Sequence, residues 1–454
     1  MPLAELSRAV ADLRERPLPP STVHHAKRAV IDWFAALYPG SVQDPCPMLR
    51  RALAEELGHG RAAVYPDGTD APVRTAAFLN GAASHTAEFD DIHRDSAVHP
   101  GCATIAAALA VAQREGADGD TFLRAVVAGY EVSARIGLAM GREHYALWHA
   151  TATMATFGAS AASCLVLGLD ATRTAHALAN AATMAAGLQQ AFRGEGMAKP
   201  IHAGHAAEAG VTSALAAAEG VTGALDVLDG PVGMGVAMSG NADWSRATAG
   251  LGERFLIEEI TFKNHGCCGH TFAAIDGALA LQGEYGFAAE DVERVEVGTY
   301  KPAVDICARS DPHTPQEAKF SLSYVVAHAL VHGSVRLAAF EPARIADPTV
   351  RDLMGRVSVA VDEALDARFP GQRAARVRIT AGGTVHELLQ PTRKGDPDMQ
   401  LTDEEVSDKF RELAGSVLAA ADAEALLAAL WGLERRKSLD LPGTRPAERA
   451  TARG

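Results

Sequence analysis

A chain of 454 residues, 48% hydrophobic and 22% charged, has the make-up of an ordinary globular protein and is long enough to divide into two domains. Its 42 basic and 56 acidic residues leave a net charge of −14, and no basic run exists to displace phosphate counterions, which excludes nucleic acid as a partner. Six cysteines without a C-x-x-C pair, a first segment carrying Glu5, Arg8 and Asp12, and no apolar run read as long enough to cross a bilayer set the expectation of a reduced, cytoplasmic protein.

Along the first 250 residues alanine dominates, the best helix former. Ser21 predicts the N-cap of a helix reaching Leu37. Further helices are predicted over 47–57, 72–87, 101–115, 119–140, 150–168, 171–187 and 199–219, punctuated by Gly116, Gly119, Gly168, Asp170 and Gly220. Past Glu258 the period changes. Valines alternate with polar residues from Val295 and strictly at Val357, Val359 and Val361; Val377 and Ile379 lead into a hairpin with Gly382-Gly383 at its turn. Helices are predicted between these strands at 271–284 and 314–331, and again at 402–415 and 422–432. The expected fold is mainly α: a large all-α helical domain from residues 1–258 and 398–454, and a smaller α+β domain from 259–397. The tail after Leu441 lacks large apolar residues and is expected to fray.

Four segments carry groups with chemistry. The stretch Ala87 to Gly101 packs Glu88, Asp90, Asp91 and Asp95 with His93, Arg94 and His99 between apolar helices, where such groups are costly unless paired or used. His99-Pro100-Gly101 reads as a helix start, a position that favours anions. Tyr145 and His149 share a face if the helix continues through them, and such a pair can move protons. In Lys199-Pro-Ile-His202-Ala-Gly-His205, Pro200 marks a first turn, so Lys199 faces the positive end of the helix dipole, which would lower its pKa or help hold a carboxylate. Lys263-Asn-His-Gly-Cys267-Cys268-Gly-His270 offers four soft ligands in six residues, but adjacent cysteines do not easily share one tetrahedral zinc. It reads more economically as a turn presenting Lys263, Cys268 or His270 to a cleft. With no phosphate loop, dinucleotide fingerprint or nucleophile elbow, general acid–base chemistry beside a carbonyl or carboxylate remains.

Taken in order, Phe89-Asp-Asp91 through His99-Pro-Gly101, Trp148-His149, Lys199-Pro-Ile-His202-Ala-Gly, Lys263 to Asp276, Glu317-Ala-Lys-Phe-Ser321 with Tyr324, and Gly395-Asp-Pro397 ahead of Lys409-Phe410 resemble the MmgE/PrpD family over nearly the whole chain. That family includes 2-methylcitrate dehydratase, cis-aconitate decarboxylase and iminodisuccinate epimerase. The resemblance implies that the α+β domain is a lid, that the chain is a homodimer with its site between the domains, and that it acts without a cofactor on a small anionic di- or tricarboxylate. In the decarboxylase branch the functional positions fall on Glu88 (an Asp there), His99, His149, Lys199 and Cys268 (a His there). Ile92 stands where a Thr is expected, and the spacing from Asp91 to His99 is one residue longer. The expected machinery is Lys199, His99, His149, Tyr145 and Asp91 for proton transfer, with Glu88, Lys263, Cys268, His270 and His202 binding substrate and no metal. Dehydration and epimerisation both follow from proton abstraction alpha to a carboxylate or imine. A non-catalytic carboxylate-binding protein of the same fold is the alternative, and a metalloenzyme built on the Cys267–His270 loop a third.

Overall fold

The computed structural model describes residues 1–192 and 196–442, so most of the tail expected to fray, 443–454, lies outside the described residues. The described backbone divides into two units, one of Met1–Phe262 with the chain from Thr402 onward, the other of Lys263–Leu401.

The first unit is helical. Pro100–Glu115, Gly119–Leu147, Ala171–Met184 and Ala198–Ala218 surround the helix Ala150–Leu167. Small residues set the spacing: a Cβ on Gly210 would come 2.4 Å from that of Ala159, and one on Gly158 would come 2.7 Å from the Gly129 carbonyl oxygen. Contrary to the sequence reading, Ala150–Leu167 is both long and apolar enough to cross a bilayer; 94% of it is buried within the fold. Its interspersed hydroxyls disguise it. Thr156 and Ser163 donate to the carbonyls of Ala152 and Ala159, one turn back, so they bring little unsatisfied polarity into the interior.

Several boundaries differ from expectation. The second helix runs Pro20–Ser41 with Pro19 at its N-cap, and the Ser21 hydroxyl donates to Glu258 instead of capping. The helix expected over 119–140 continues to Leu147 past a break at Gly141, whose φ of 71° is open to glycine. The stretch 314–331 is two helices, Pro315–Lys319 and Leu322–His332, because the Ser321 side chain accepts from the Tyr324 amide and starts a new one. A first helix, Pro2–Asp12, and a short hairpin of Ala62–Val64 with Thr69–Ala71 went unforeseen.

The second unit is α+β. Val357–Val361 pairs in parallel with Val292–Thr299, which pairs antiparallel with Ala375–Ala381, and Thr384–Gln390 completes the sheet. Ala381 and Thr384 face each other across Gly382-Gly383, both at positive φ, as a tight hairpin requires. The helix Phe272–Tyr285 covers the last two strands, with Ile275, Val295, Val297, Val325, Val377 and Ile379 in a buried core.

Candidate active site

In the helical unit the acidic stretch is a loop between Val73–Thr86 and Pro100–Glu115, shaped by contacts of Lys409, Asp91 and Asp90. Lys409, from the helix Asp403–Ala414, reaches Asp32 Oδ1 at 2.5 Å and donates to the Phe89 carbonyl at 2.8 Å. Asp91 accepts from the Tyr130 hydroxyl at 2.6 Å and from the Gly101 amide at 3.1 Å. Burial, with Asp32 and Asp90 nearby, pushes the Asp91 carboxyl up to about 8 in spite of those bonds. Asp91 thus anchors a helix start from behind. Asp90 faces the other way: its Oδ2 lies 2.6 Å from His85 Nδ1 and 3.1 Å from His99 Nδ1.

Imidazoles continue from there. The His85 ring stacks on His149 at 5.6 Å, and His149 Nδ1 sits 3.1 Å from His202 Nδ1, so one of those nitrogens donates and the other accepts. His99 is the N-cap of Pro100–Glu115, and its amide donates to Thr151 in the first turn of Ala150–Leu167. His149 is the N-cap of that second helix, its amide held by the Gly187 carbonyl at 2.9 Å. Burial, then the proximity of His85, Lys199, His99 and His202, holds the His149 imidazole neutral far below its ordinary range. Lys199 is the second residue of Ala198–Ala218 and is ion-paired with Glu88. Three helix N-termini therefore meet around a lysine and a histidine chain.

Two expectations need correcting. Tyr145 and His149 do not share a helical face, because the chain leaves the helix at Trp148 and begins another at His149; Tyr145 stands half exposed near Lys199. The pKa of Lys199 is raised, not lowered. Burial pushes it down, but the carboxylates of Glu88 and Asp90 outweigh burial. Glu88 takes its position at φ 64°, a strained conformation for a non-glycine residue.

In the α+β unit, the turn before Phe272–Tyr285 carries Lys263, Cys268 and His270. The His270 Nδ1 is 2.8 Å from the Tyr300 hydroxyl. Burial, then Arg373 and Arg393, brings its pKa down to about 4. His265 and the Lys394 amide both bond Asp276, fixing the base of the turn.

A family model for the MmgE/PrpD N-terminal domain matches residues 4–247, and one for the C-terminal domain matches 265–434. The chain belongs to the MmgE/PrpD family. Among its relatives, the cis-aconitate decarboxylase-like protein oryM of Aspergillus oryzae is 28% identical over 441 residues, covering 91% of each chain. The cis-aconitate decarboxylase of Homo sapiens is 26% identical over 445 residues, 94% of this chain and 90% of that one. The 2-methylcitrate dehydratase of Cupriavidus necator is 28% identical over 141 residues, 29% of each.

For this MmgE/PrpD chain the structure brings Glu88, His99, His149, Lys199 and His202 together within the helical unit and sets Asp91 behind them. Sequence reasoning missed His85, a lone histidine inside an apolar helix; only the Asp90 five residues later hinted at a partner. Among the described residues, His85, Asp90 and His99 gather ligand-type atoms within 4.8 Å of one another. The His85–Asp90 contact has hydrogen-bond length, so the group also stands as an imidazole–carboxylate pair. Among the described residues the Cys267–His270 loop gathers no metal-ligand cluster; Cys267 bonds Thr271 and His270 bonds Tyr300.

Proposed function

We propose that this chain is a cofactor-independent lyase or isomerase that acts on a small di- or tricarboxylate by moving a proton alpha to a carboxylate or imine. The observation that carries this reading is the meeting of three helix starts, at His99, His149 and Ala198–Lys199. Helix N-termini offer amide hydrogens and partial positive charge, which suit a substrate carboxylate. Lys199, kept charged by Glu88 and Asp90, stabilises negative charge developing beside that carboxylate. His149, kept neutral, takes the proton, and His202 fixes which of its ring nitrogens is available. Lys263, Cys268 and His270 are the substrate-binding groups this reading assigns to the α+β unit.

The resulting carbanion has two fates. Loss of a β-hydroxyl makes the enzyme a dehydratase, and reprotonation on the other face makes it an epimerase. A decarboxylase reaches its carbanion by losing carbon dioxide instead of a proton, and the same groups then stabilise and protonate it. The relatives named for cis-aconitate and 2-methylcitrate support a tricarboxylate as the first substrate to try. The test is incubation in deuterated water with a panel of hydroxy-, unsaturated and imino-carboxylates, followed by NMR. Deuterium at the alpha carbon, with or without loss of water or carbon dioxide, is expected, and Lys199→Met should abolish it. Thermal stabilisation by the same acids without any exchange would replace this reading with a carboxylate-binding protein.

A further inference from the structure

His85 and Asp90 have no task in the proton transfer just proposed, yet both side chains are buried beside it, one in the helix Val73–Thr86 and the other in the loop that follows. A single carboxylate oxygen, Asp90 Oδ2, faces two imidazoles, with His85 Nδ1 at 2.6 Å and His99 Nδ1 at 3.1 Å. An ionised carboxylate only accepts, so His85 keeps its proton on Nδ1 and pins Asp90 in place. The His85 Nε2 is buried and has no hydrogen-bond partner among the described residues. A second proton there would leave a buried, charged donor with nothing to meet it. The His99 side chain is 12% exposed against 0% for His85, so an added proton can reach it, and Asp90 balances the charge. Lys199 also interacts with Asp90 but has Glu88 as its ion-pair partner. Around His149 the charges are arranged the other way, since its neighbours include Lys199 and the rings of His85, His99 and His202. The His85 ring stands edge-on to His99, with centroids 5.0 Å apart, and stacks on His149 at 5.6 Å.

We propose that Asp90 and His85 are positioning residues that divide two proton-transfer roles: Asp90, pinned by His85, holds His99 as the imidazolium that gives a proton, and the His85 ring sets His149 apart as the base. The inference rests on the carboxylate reading and names the group that returns the proton. In dehydration His149 takes the alpha proton, the C–H electron pair becomes the new double bond, and the bond to the β-hydroxyl breaks. The His99 Nε2 proton departs with that hydroxyl as water. In epimerisation the electron pair stays on the enolate until the same proton reaches the alpha carbon. Either way His149 ends charged and His99 neutral, and proton exchange with water resets the pair.

Two measurements on the full chain test this division. In imidazole-nitrogen NMR at neutral pH, the His99 ring should carry protons on both nitrogens and the His149 ring on one, each signal assigned by its loss in His99→Gln or His149→Gln. Asp90→Asn should leave the His99 ring with one proton. In deuterated water with the same hydroxy-, unsaturated and imino-carboxylates, Asp90→Asn should slow net turnover about 100-fold while retaining deuterium wash-in at the alpha carbon, a split that a merely structural loss does not produce. His85→Asn, which can still donate to Asp90, should keep more turnover than His85→Ala; equal loss would overturn the part given to His85. A singly protonated His99 or a doubly protonated His149 in the wild-type chain overturns the division even if the variants fold poorly. Neither exchange nor turnover by the wild-type chain overturns the carboxylate reading and the division with it. Exchange by the wild-type chain, with equal losses of wash-in and turnover in Asp90→Asn, overturns the division alone.

Discussion

Asp91 is where a single residue couples the site to pH. Its folded pKa of about 8 stands above the unfolded value of about 3.9, so between those values the folded chain keeps a proton that the unfolded chain has released. Its contribution to stability is therefore full at low pH and falls as pH rises from about 4 to about 8. Asp91→Asn is neutral throughout. Denaturant midpoints measured across that range should turn steadily against the wild-type chain relative to the variant; a difference flat with pH would mean that Asp91 is not protonated. Lys199 supports a second expectation: Lys199→Met should lower kcat/KM by about 100-fold or more, as loss of a charge-stabilising donor does. The density of acids around Asp91 was plain in the sequence. Its partner Tyr130 was not, because 39 residues separate them and no spacing rule links an acidic loop to a tyrosine in the middle of a later helix.

Helices organise these side chains, and their starts were largely legible. Pro100 and Pro200 mark first turns, and the strand and hairpin pattern around Gly382-Gly383 showed where helix gives way to sheet. Less visible was the kind of end each helix has. At Tyr145–His149 the sequence left open whether helix continues through the pair, because Trp148 and His149 suit either conformation; in the structure the His149 amide bonds the Gly187 carbonyl, from a distant loop, where one helix has ended and the next begins. Close approach makes one position critical. A Cβ on Gly101 would meet the Tyr130 hydroxyl at 2.5 Å and Asp91 Oδ1 at 2.8 Å. Gly101→Ala should cost about 1–3 kcal/mol in urea denaturation. Combined with Tyr130→Phe, which removes the nearest clashing atom, the two losses should be less than additive. Full additivity would place the strain elsewhere.

At the scale of the molecule, alanine content and helical period made the mainly α character readable, and alternating valines announced the small sheet. The role of the last helices was beyond reach, since nothing in Lys409-Phe410 says which buried acid a lysine will find. Lys409 is fully buried against Asp32. Lys409→Met leaves Asp32 in the interior without its ammonium and should cost about 3–5 kcal/mol, measured by chemical denaturation. The double variant Asp32→Asn, Lys409→Met should recover much of that loss. No recovery would show that the lysine matters through Phe89 alone.

The Lys409 contacts also set an order of events during synthesis. They bridge 377 residues to Asp32 and 320 to the Phe89 carbonyl. A chain emerging from the ribosome at about 5–20 residues per second makes the acidic loop on the order of tens of seconds before the lysine that holds it. Through that interval the whole of Lys263–Leu401 is being made. The acidic loop therefore gains its Lys409 contact late in synthesis, and a chain that stops before residue 409 lacks the ammonium that binds Asp32 and the Phe89 carbonyl.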